Sequence, residues 1–168
     1  TMCGVRAPVI LVAHSYGGIM ALLTASQDRR VAGLVLVDAL VPETFTDEEI
    51  AATLAEVRPQ YAEVQKEAPE LAASIIPLME AMPQTARHVR PIRLRKGLPV
   101  IDIVAGKADY TRPAARELHF SGHAVFVAQD GARQTVLAES SGHKVMFDQP
   151  DLVLDAIRTL LGPMNREK

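Results

Sequence analysis

The sequence has little cysteine and little net charge, and each shortage excludes a class of protein. Its single cysteine, Cys3, cannot form a disulfide within the chain, which argues against a disulfide-stapled secreted scaffold. The formal net charge is only -2, so the total implies no nucleic-acid partner. No stretch of the sequence approaches the roughly 20 apolar residues that span a bilayer, so no membrane partner is expected.

The amino terminus lacks the charged, apolar and cleavage-site pattern of a signal peptide, so the cytoplasm is the default compartment. The sequence begins with Thr1 rather than methionine, and its first apolar run starts at Val9, as though it opened in mid-fold. Hydrophobic residues make up 48% of 168 positions, which is enough for one domain with a real core. We therefore expect a single globular domain.

Apolar runs alternate with helical patterns along the chain. The run at 9–13 is continuous, as in a strand buried on both faces of a parallel sheet, residues 31–40 and 98–109 are of the same type, and residues 133–140 are predicted as a fourth short strand. Helical spacing of apolar residues is found at 17–26, 111–129 and 147–161. This alternation predicts an α/β domain with a mainly parallel sheet flanked by helices.

Residues 43–86 differ in character from the rest. They are rich in Glu, Ala, Leu and Gln, are broken by four prolines and contain no strand pattern, which predicts an insertion of two to four short helices. Thr46 is placed to cap one of these helices. Residues 87–97 concentrate five of the 18 Lys and Arg, and we interpret them as a solvated connection facing the acidic insertion rather than as an anion-binding patch.

The stretch "AHSYG" places Ser15 between an apolar strand and a helix. A sharp turn at this point lifts a serine hydroxyl above the sheet, provided that the residues two before and two after it, here Ala13 and Gly17, are small. Such a turn also aims the N–H of Tyr16 and the positive helix end at a developing oxyanion. The other interpretation is that Ser15 only caps the helix.

Four motifs in order resemble the α/β-hydrolase fold superfamily: "AHSYGG", "GLVLVDALVP", "PVIDIVAGKAD" and "SGHKVMFDQPDLVLDAI". The resemblance covers residues 8–161 apart from the insertion, and it corresponds to the carboxyl-terminal two thirds of that fold. It implies that Ser15 is the nucleophile, that His143 is the general base and then the acid, and that Asp109 orients the imidazole. Asp38, at the end of its strand, is the alternative acid, since some relatives place the carboxylate there.

The resemblance also implies an architecture. Residues 1–41 and 97–168 would form a partial hydrolase core, and residues 42–96 a helical lid with its connection. The strands that precede the elbow in this fold are not in the sequence, nor is the loop that supplies the second oxyanion N–H. We therefore expect the first strand to form a bare apolar edge, and a preceding segment or companion chain to complete the sheet.

Other residues that could perform chemistry are given structural roles. His14 adjoins the predicted nucleophile and should pack or hydrogen-bond behind the elbow. His119 and His123 stand four apart and could share a metal, but Gly122 between them and the lack of a nearby Glu-containing pattern argue against it, so no metal is expected. Four more residues are expected to be structural, in a strand, in a loop or at the start of the last helix: Asp102, Ser140, Ser141 and Asp148.

The resemblance implies a serine hydrolase that needs no cofactor. A serine at position 15 argues against epoxide opening and halide removal, for which relatives use an aspartate nucleophile. The expected substrate is a small molecule with an apolar acyl group, as an ester, thioester, lactone or amide. Two alternatives stay open: an acyltransferase or thioesterase-cyclase that uses the same residues, and a non-catalytic member of the fold that binds a ligand.

Overall fold

The computed structural model describes residues 8–107 and 110–164. Four parallel strands form one sheet in chain order: β1 (Val9–His14), β2 (Val31–Val37), β3 (Val100–Ala105) and β4 (Arg133–Ala138). The α-helices in these residues are α1 (Gly17–Gln27), α2 (Asp47–Val57), α3 (Tyr61–Glu67), α4 (Pro69–Glu80), α5 (Met82–Val89), α6 (Pro113–Ala128), α7 (Val145–Asp148) and α8 (Pro150–Met164). Short 3-10 helices cover Pro42–Thr44 and Arg58–Gln60.

Helices cover both faces of the sheet, which confirms the predicted α/β class. On one face α1 and α6 pack on β2 and β3 through a cluster that includes Leu22, Leu34 and Phe126. On the other face α8 packs on the same strands around Ile101 and Ala156. All six residues of β3 are buried, as expected for a parallel strand covered on both sides.

Two helix boundaries differ from the sequence-based expectation. α6 continues through the "HFSGH" stretch that looked imperfect. Its Gly122 lies so close to the segment after β2 that a Cβ there would stand 2.8 Å from Cγ2 of Thr44. The predicted closing helix is divided into α7 and α8, with Pro150 opening α8 because proline is tolerated in the first turn, where its missing N–H is not needed.

The regular elements of residues 42–96 are all helical, and charged side chains link parts of this segment to one another and to the start of α6. The hydroxyl of Thr46 accepts the N–H of Glu49 at 3.1 Å, which confirms the predicted cap of α2. Arg90, in the basic stretch, donates to Asp47 at 2.5 Å. At the start of α6, Arg112 bonds Glu49 at 2.5 Å. One arginine of the basic stretch thus pairs with an acid of the insertion.

The strand β1 lies at an edge of the sheet, since among the described residues it pairs with β2 alone. Its Val12 is 48% exposed, and Met20 on the following helix is 58% exposed. This is the apolar edge that the sequence analysis expected. Within 8–107 and 110–164, no helix combines the length and the hydropathy needed to cross a membrane.

Candidate active site

Ser15 sits in a strained turn between β1 and α1. Its φ of 55° lies in the left-handed region, which costs a residue other than glycine about 1–3 kcal/mol. The helix that follows is pressed against the end of β2, since a Cβ on Gly18 would stand 2.6 Å from Cβ of Ala39. A Cβ on Gly17 would meet nothing nearer than Ala13 Cβ at 3.9 Å. Of the two glycines, Gly18 therefore permits the close approach.

The hydroxyl of Ser15 points to a histidine and not to its own helix. Its Oγ lies 2.9 Å from Nε2 of His143, a residue 128 positions away in the sequence. The N-terminal cap of α1 is Tyr16, and no side chain caps it. The interpretation of Ser15 as a helix cap is therefore wrong, and the turn has the geometry of the predicted elbow.

The other ring nitrogen of His143 faces Asp38. Nδ1 lies 2.6 Å from Oδ2 of Asp38, and Oδ1 of the same carboxylate accepts the backbone N–H of Ala105 at 3.0 Å. Asp38 directly follows β2, is only 3% exposed and has a φ of 42°. The sequence-based first choice for the acid, Asp109, lies outside the described residues. The carboxylate beside His143 therefore belongs to Asp38, the alternative acid named from the sequence.

Burial and hydrogen bonding act on Asp38 in opposite directions. Burial alone would raise the pKa of this carboxyl, because it disfavours the charged form. The neighbouring rings of His119 and His143 and the N–H of Ala105 stabilise the carboxylate and outweigh burial, so the pKa of Asp38 lies well below its usual range. The carboxylate therefore stays ionised at neutral pH beside the His143 ring.

The loop that carries His143 is held from two sides. Oδ2 of Asp148 accepts the hydroxyl of Ser141 at 2.9 Å and the N–H of Gly142 at 3.0 Å. His14 donates from Nε2 to the carbonyl of His143 at 2.8 Å, and the two rings lie 4.5 Å apart. His14 thus braces the loop that bears the imidazole. Asp148, expected at the start of the last helix, instead shapes this loop from α7.

One backbone donor is available next to the Ser15 hydroxyl. Among residues 8–107 and 110–164, the N–H of Tyr16 has no hydrogen-bond acceptor. It precedes the first residue of α1, Gly17, where the helix dipole is positive. The N–H of Tyr16 is therefore free to bind an anion that forms beside Oγ of Ser15.

A cavity of about 250 Å³ lies between the helical segment and α6. Its walls are mainly apolar, and the lining residues include Tyr16, Leu40, Phe45, Met79, Met82 and Leu118. Neither Ser15 nor His143 lines the cavity. Two lining residues lie next to the site: Tyr16, which follows Ser15, and His119, which lies beside Asp38. Leu78 on α4 also lines the cavity, whereas Leu71 on the same helix is 58% exposed.

The two histidines considered for a metal contact carboxylates instead. His123 is buried, with Nδ1 2.8 Å from Oδ2 of Asp102 on β3. His119, one turn earlier on α6, has its Nε2 3.2 Å from Oδ1 of Asp38, without the alignment of a hydrogen bond. The two rings meet edge to face at 4.5 Å. Asp102, expected to be structural, thus anchors His123.

The chain matches the model of the alpha/beta hydrolase family over residues 2–156. It belongs to that family. No curated protein matches the sequence at a significant level.

Solved structures show the same fold at low identity. The chain is similar to an esterase, EaEST, from Exiguobacterium antarcticum, with a TM-score of 0.53 and 16% identity over 91% of this chain and 66% of that one. It is also similar to a serine hydrolase involved in carbazole degradation, CarC, with a TM-score of 0.52 and 18% identity over 95% and 65%. For AbyA5 the TM-score is 0.51 and the identity 19%, over 94% of this chain and 45% of that one. The chain thus spans about half to two thirds of the length of these structures.

Two contacts of this alpha/beta hydrolase could not be assigned from its sequence. His14 was expected behind the elbow, yet it holds the carbonyl of His143. His119 was weighed only as a metal ligand, yet it lies beside Asp38. A signal for the second contact did exist. Asp38 ends a buried strand, and a buried carboxylate at such a point needs several donors around it.

Proposed function

We propose that this protein is a serine hydrolase that cleaves an ester, thioester, lactone or amide of a small apolar acyl substrate through an acyl-enzyme on Ser15. The observation that carries the proposal is the continuous chain of contacts from Ser15 Oγ to His143 Nε2 at 2.9 Å and from His143 Nδ1 to Asp38 at 2.6 Å. A serine hydroxyl is a weak nucleophile by itself, and an oriented imidazole within hydrogen-bond reach is what activates it.

In the first half-reaction, Nε2 of His143 takes the proton of Ser15 as Oγ attacks the acyl carbon. Asp38 accepts the Nδ1–H of His143, which fixes the tautomer with a bare Nε2 and stabilises the imidazolium that forms. His143 then gives the proton to the leaving group. In the second half-reaction, His143 takes a proton from the water that attacks the acyl carbon, and it returns this proton to Oγ of Ser15 as the Oγ–acyl bond breaks and the acid product leaves.

We assign the orienting acid to Asp38. The carboxylate is buried, stays ionised and is held by the N–H of Ala105 at 3.0 Å, so it presents one oxygen to Nδ1 in a fixed direction. The oxyanion would be bound by the N–H of Tyr16 at the positive end of α1. Removing one oxyanion donor costs roughly 10²–10³ in turnover in enzymes of this type.

The cavity supports a small apolar acyl group as the part of the substrate that is recognised. The cavity of about 250 Å³ is lined mainly by apolar side chains, which favours an apolar acyl group over a charged one. We propose that residues 42–96 serve as the lid of this cavity, since Phe45, Met79 and Met82 from this segment form part of its wall. The acyl chain would enter past Tyr16 and lie against these side chains.

A fluorophosphonate probe tests the mechanism directly. We expect it to label the protein at one position, Ser15, identified by peptide mass spectrometry, because only a hydroxyl activated by an imidazole reacts at a useful rate. Esters of graded acyl length should slow the labelling, and those that fit the cavity should protect best. A protein that stays unlabelled, or is labelled elsewhere, contradicts the proposal and favours a ligand-binding member of the fold.

We further propose that another segment, from the same or a companion chain, adds a strand beside β1 and supplies a second oxyanion N–H. The edge of β1 that faces away from β2 has no partner strand in the described part of the chain, and the side chains of Val12 and Met20 are exposed; both observations support this. Native mass spectrometry of the purified active protein should therefore show a mass above the 18.2 kDa of these 168 residues. An active, soluble monomer of 18.2 kDa would contradict this proposal.

A further inference from the structure

Asp38 is contacted by two histidines, one on each carboxylate oxygen. Oδ2 faces Nδ1 of His143 at 2.6 Å, and Oδ1 faces Nε2 of His119 at 3.2 Å. His119 is nearly as buried as Asp38, with 7% of its surface exposed against 3%. A buried carboxylate is stable only where donors surround it, and His119 lies where one of them is needed.

The position of His119 is itself fixed by its neighbours. Its ring packs edge to face on His123, whose Nδ1 is bonded to Asp102 in the middle of the sheet. On another side the Tyr110 ring lies 5.0 Å away. The close approach at Gly122, described above, holds this turn of α6 near the end of β2. The ring therefore has little room to leave Asp38.

We propose that His119 is a positioning residue, which donates its Nε2–H to Oδ1 of Asp38 and so holds the carboxylate in line with His143. This inference rests on the proposed function, since Asp38 matters to catalysis only if His143 acts as the base. The contact is 3.2 Å long and lies off the hydrogen-bond axis, and χ2 of histidine is a soft torsion. Catalytic hydrogen bonds are often long or poorly aligned in the absence of substrate and tighten in the complex.

The closest ionisable neighbours of His119 agree with a donor at Nε2. Asp38 carries a negative charge, and His123 contacts the ring edge while its own Nδ1 is engaged by Asp102. Burial, together with the charges of Asp38 and Glu49, raises the pKa of Tyr110, so its phenol stays neutral. Among the described residues Nε2 of His119 has no other partner. A bare Nε2 would place a lone pair against the carboxylate.

The protonation of His119 is tested on the full wild-type chain by long-range ¹⁵N–¹H correlation of the histidine rings, assigned with the His119→Gln variant. The Nε2–H tautomer, or the imidazolium, supports the proposal, because both donate to Asp38. The Nδ1–H tautomer overturns it. This measurement needs no substrate, so it stands even if Ser15 proves unreactive and the proposed function fails.

Kinetics of two variants then separate positioning from a mere lining role in the cavity. His119→Leu removes the donor. We expect kcat to fall roughly 10- to 100-fold, which is the effect of losing one charge-assisted hydrogen bond. The factor should be the same for acetyl and octanoyl esters. His119→Gln keeps an N–H and should recover most of kcat. A change confined to KM that grows with acyl length, or an equal loss in both variants, would overturn the proposal. If His119→Leu does not fold, the His119 tautomer measured in the wild-type chain decides whether the proposal stands.

Discussion

The Asp38→Asn variant should hydrolyse esters with a kcat about 10⁴-fold below that of the wild type, the loss seen when the acid of such a triad becomes an amide. The amide is nearly isosteric, so the fold around β2 should persist. Its NH₂ or its weaker carbonyl would face Nδ1 of His143 in place of a carboxylate. The ring then adopts the tautomer with a proton on Nε2, which cannot take the proton of Ser15.

The matched control is Asp109→Asn, because the sequence alone favours Asp109 as the acid. We expect this variant to stay within a few-fold of wild-type kcat on the same ester. Both variants are compared by circular dichroism and thermal melting, so that a loss of fold is not mistaken for a loss of chemistry. A 10⁴-fold loss in Asp109→Asn, with Asp38→Asn nearly unchanged, would assign the acid to the loop after β3.

Removing the side chain of either Ser15 or His143 should lower kcat further than Asp38→Asn does. Ser15→Ala and His143→Ala are each expected to lower kcat by about 10⁵–10⁶-fold. The double variant should be no worse than either single one, because the two side chains perform one proton transfer between them. Steady-state rates on an activated ester, with protein purified from a host lacking its own esterases, measure these losses.

A serine on α1, the helix that follows the turn, provides the control for this series. The hydroxyl of Ser26 donates to the carbonyl of Leu23 at 2.7 Å on α1, far from the elbow in sequence. Ser26→Ala should leave kcat within twofold of wild type. If the double variant lost rate as the product of the two single losses, Ser15 and His143 would act independently, and the proposed proton transfer between them would be contradicted.

The fold could be predicted from the sequence because its signals are local and repeated. Continuous apolar runs mark β2 and β3, whose side chains are buried on both faces, and the alternation with helical patterns determines a parallel sheet. The ends of the strands and helices are predicted less accurately. The third strand is predicted over residues 98–109, but β3 covers only Val100–Ala105, where its ladder with β4 ends.

The site was predictable only in part, because contacts between distant loops leave no local signal. Ser15 is marked by the small residues of its turn, and His143 lies after the last strand, where the family implies a base. The acid is ambiguous from sequence, since both Asp38 and Asp109 follow strands whose ends meet at one edge of the sheet. For Asp38, the contact that supports the proposed role depends on register: β2 ends one residue before it, and β3 brings the Ala105 N–H to its carboxylate.

Asp38 turns the chain with a φ of 42° directly after β2, as Ser15 does with a φ of 55° directly after β1. The nucleophile and the acid proposed above therefore follow adjacent strands of one βαβ unit. On that proposal, the connection from β3 to α6 takes no part in proton transfer. Its Tyr110 faces the cavity, and Arg112 fastens it to α2. Substitutions in this connection would then alter which molecules are accepted without changing the proposed triad.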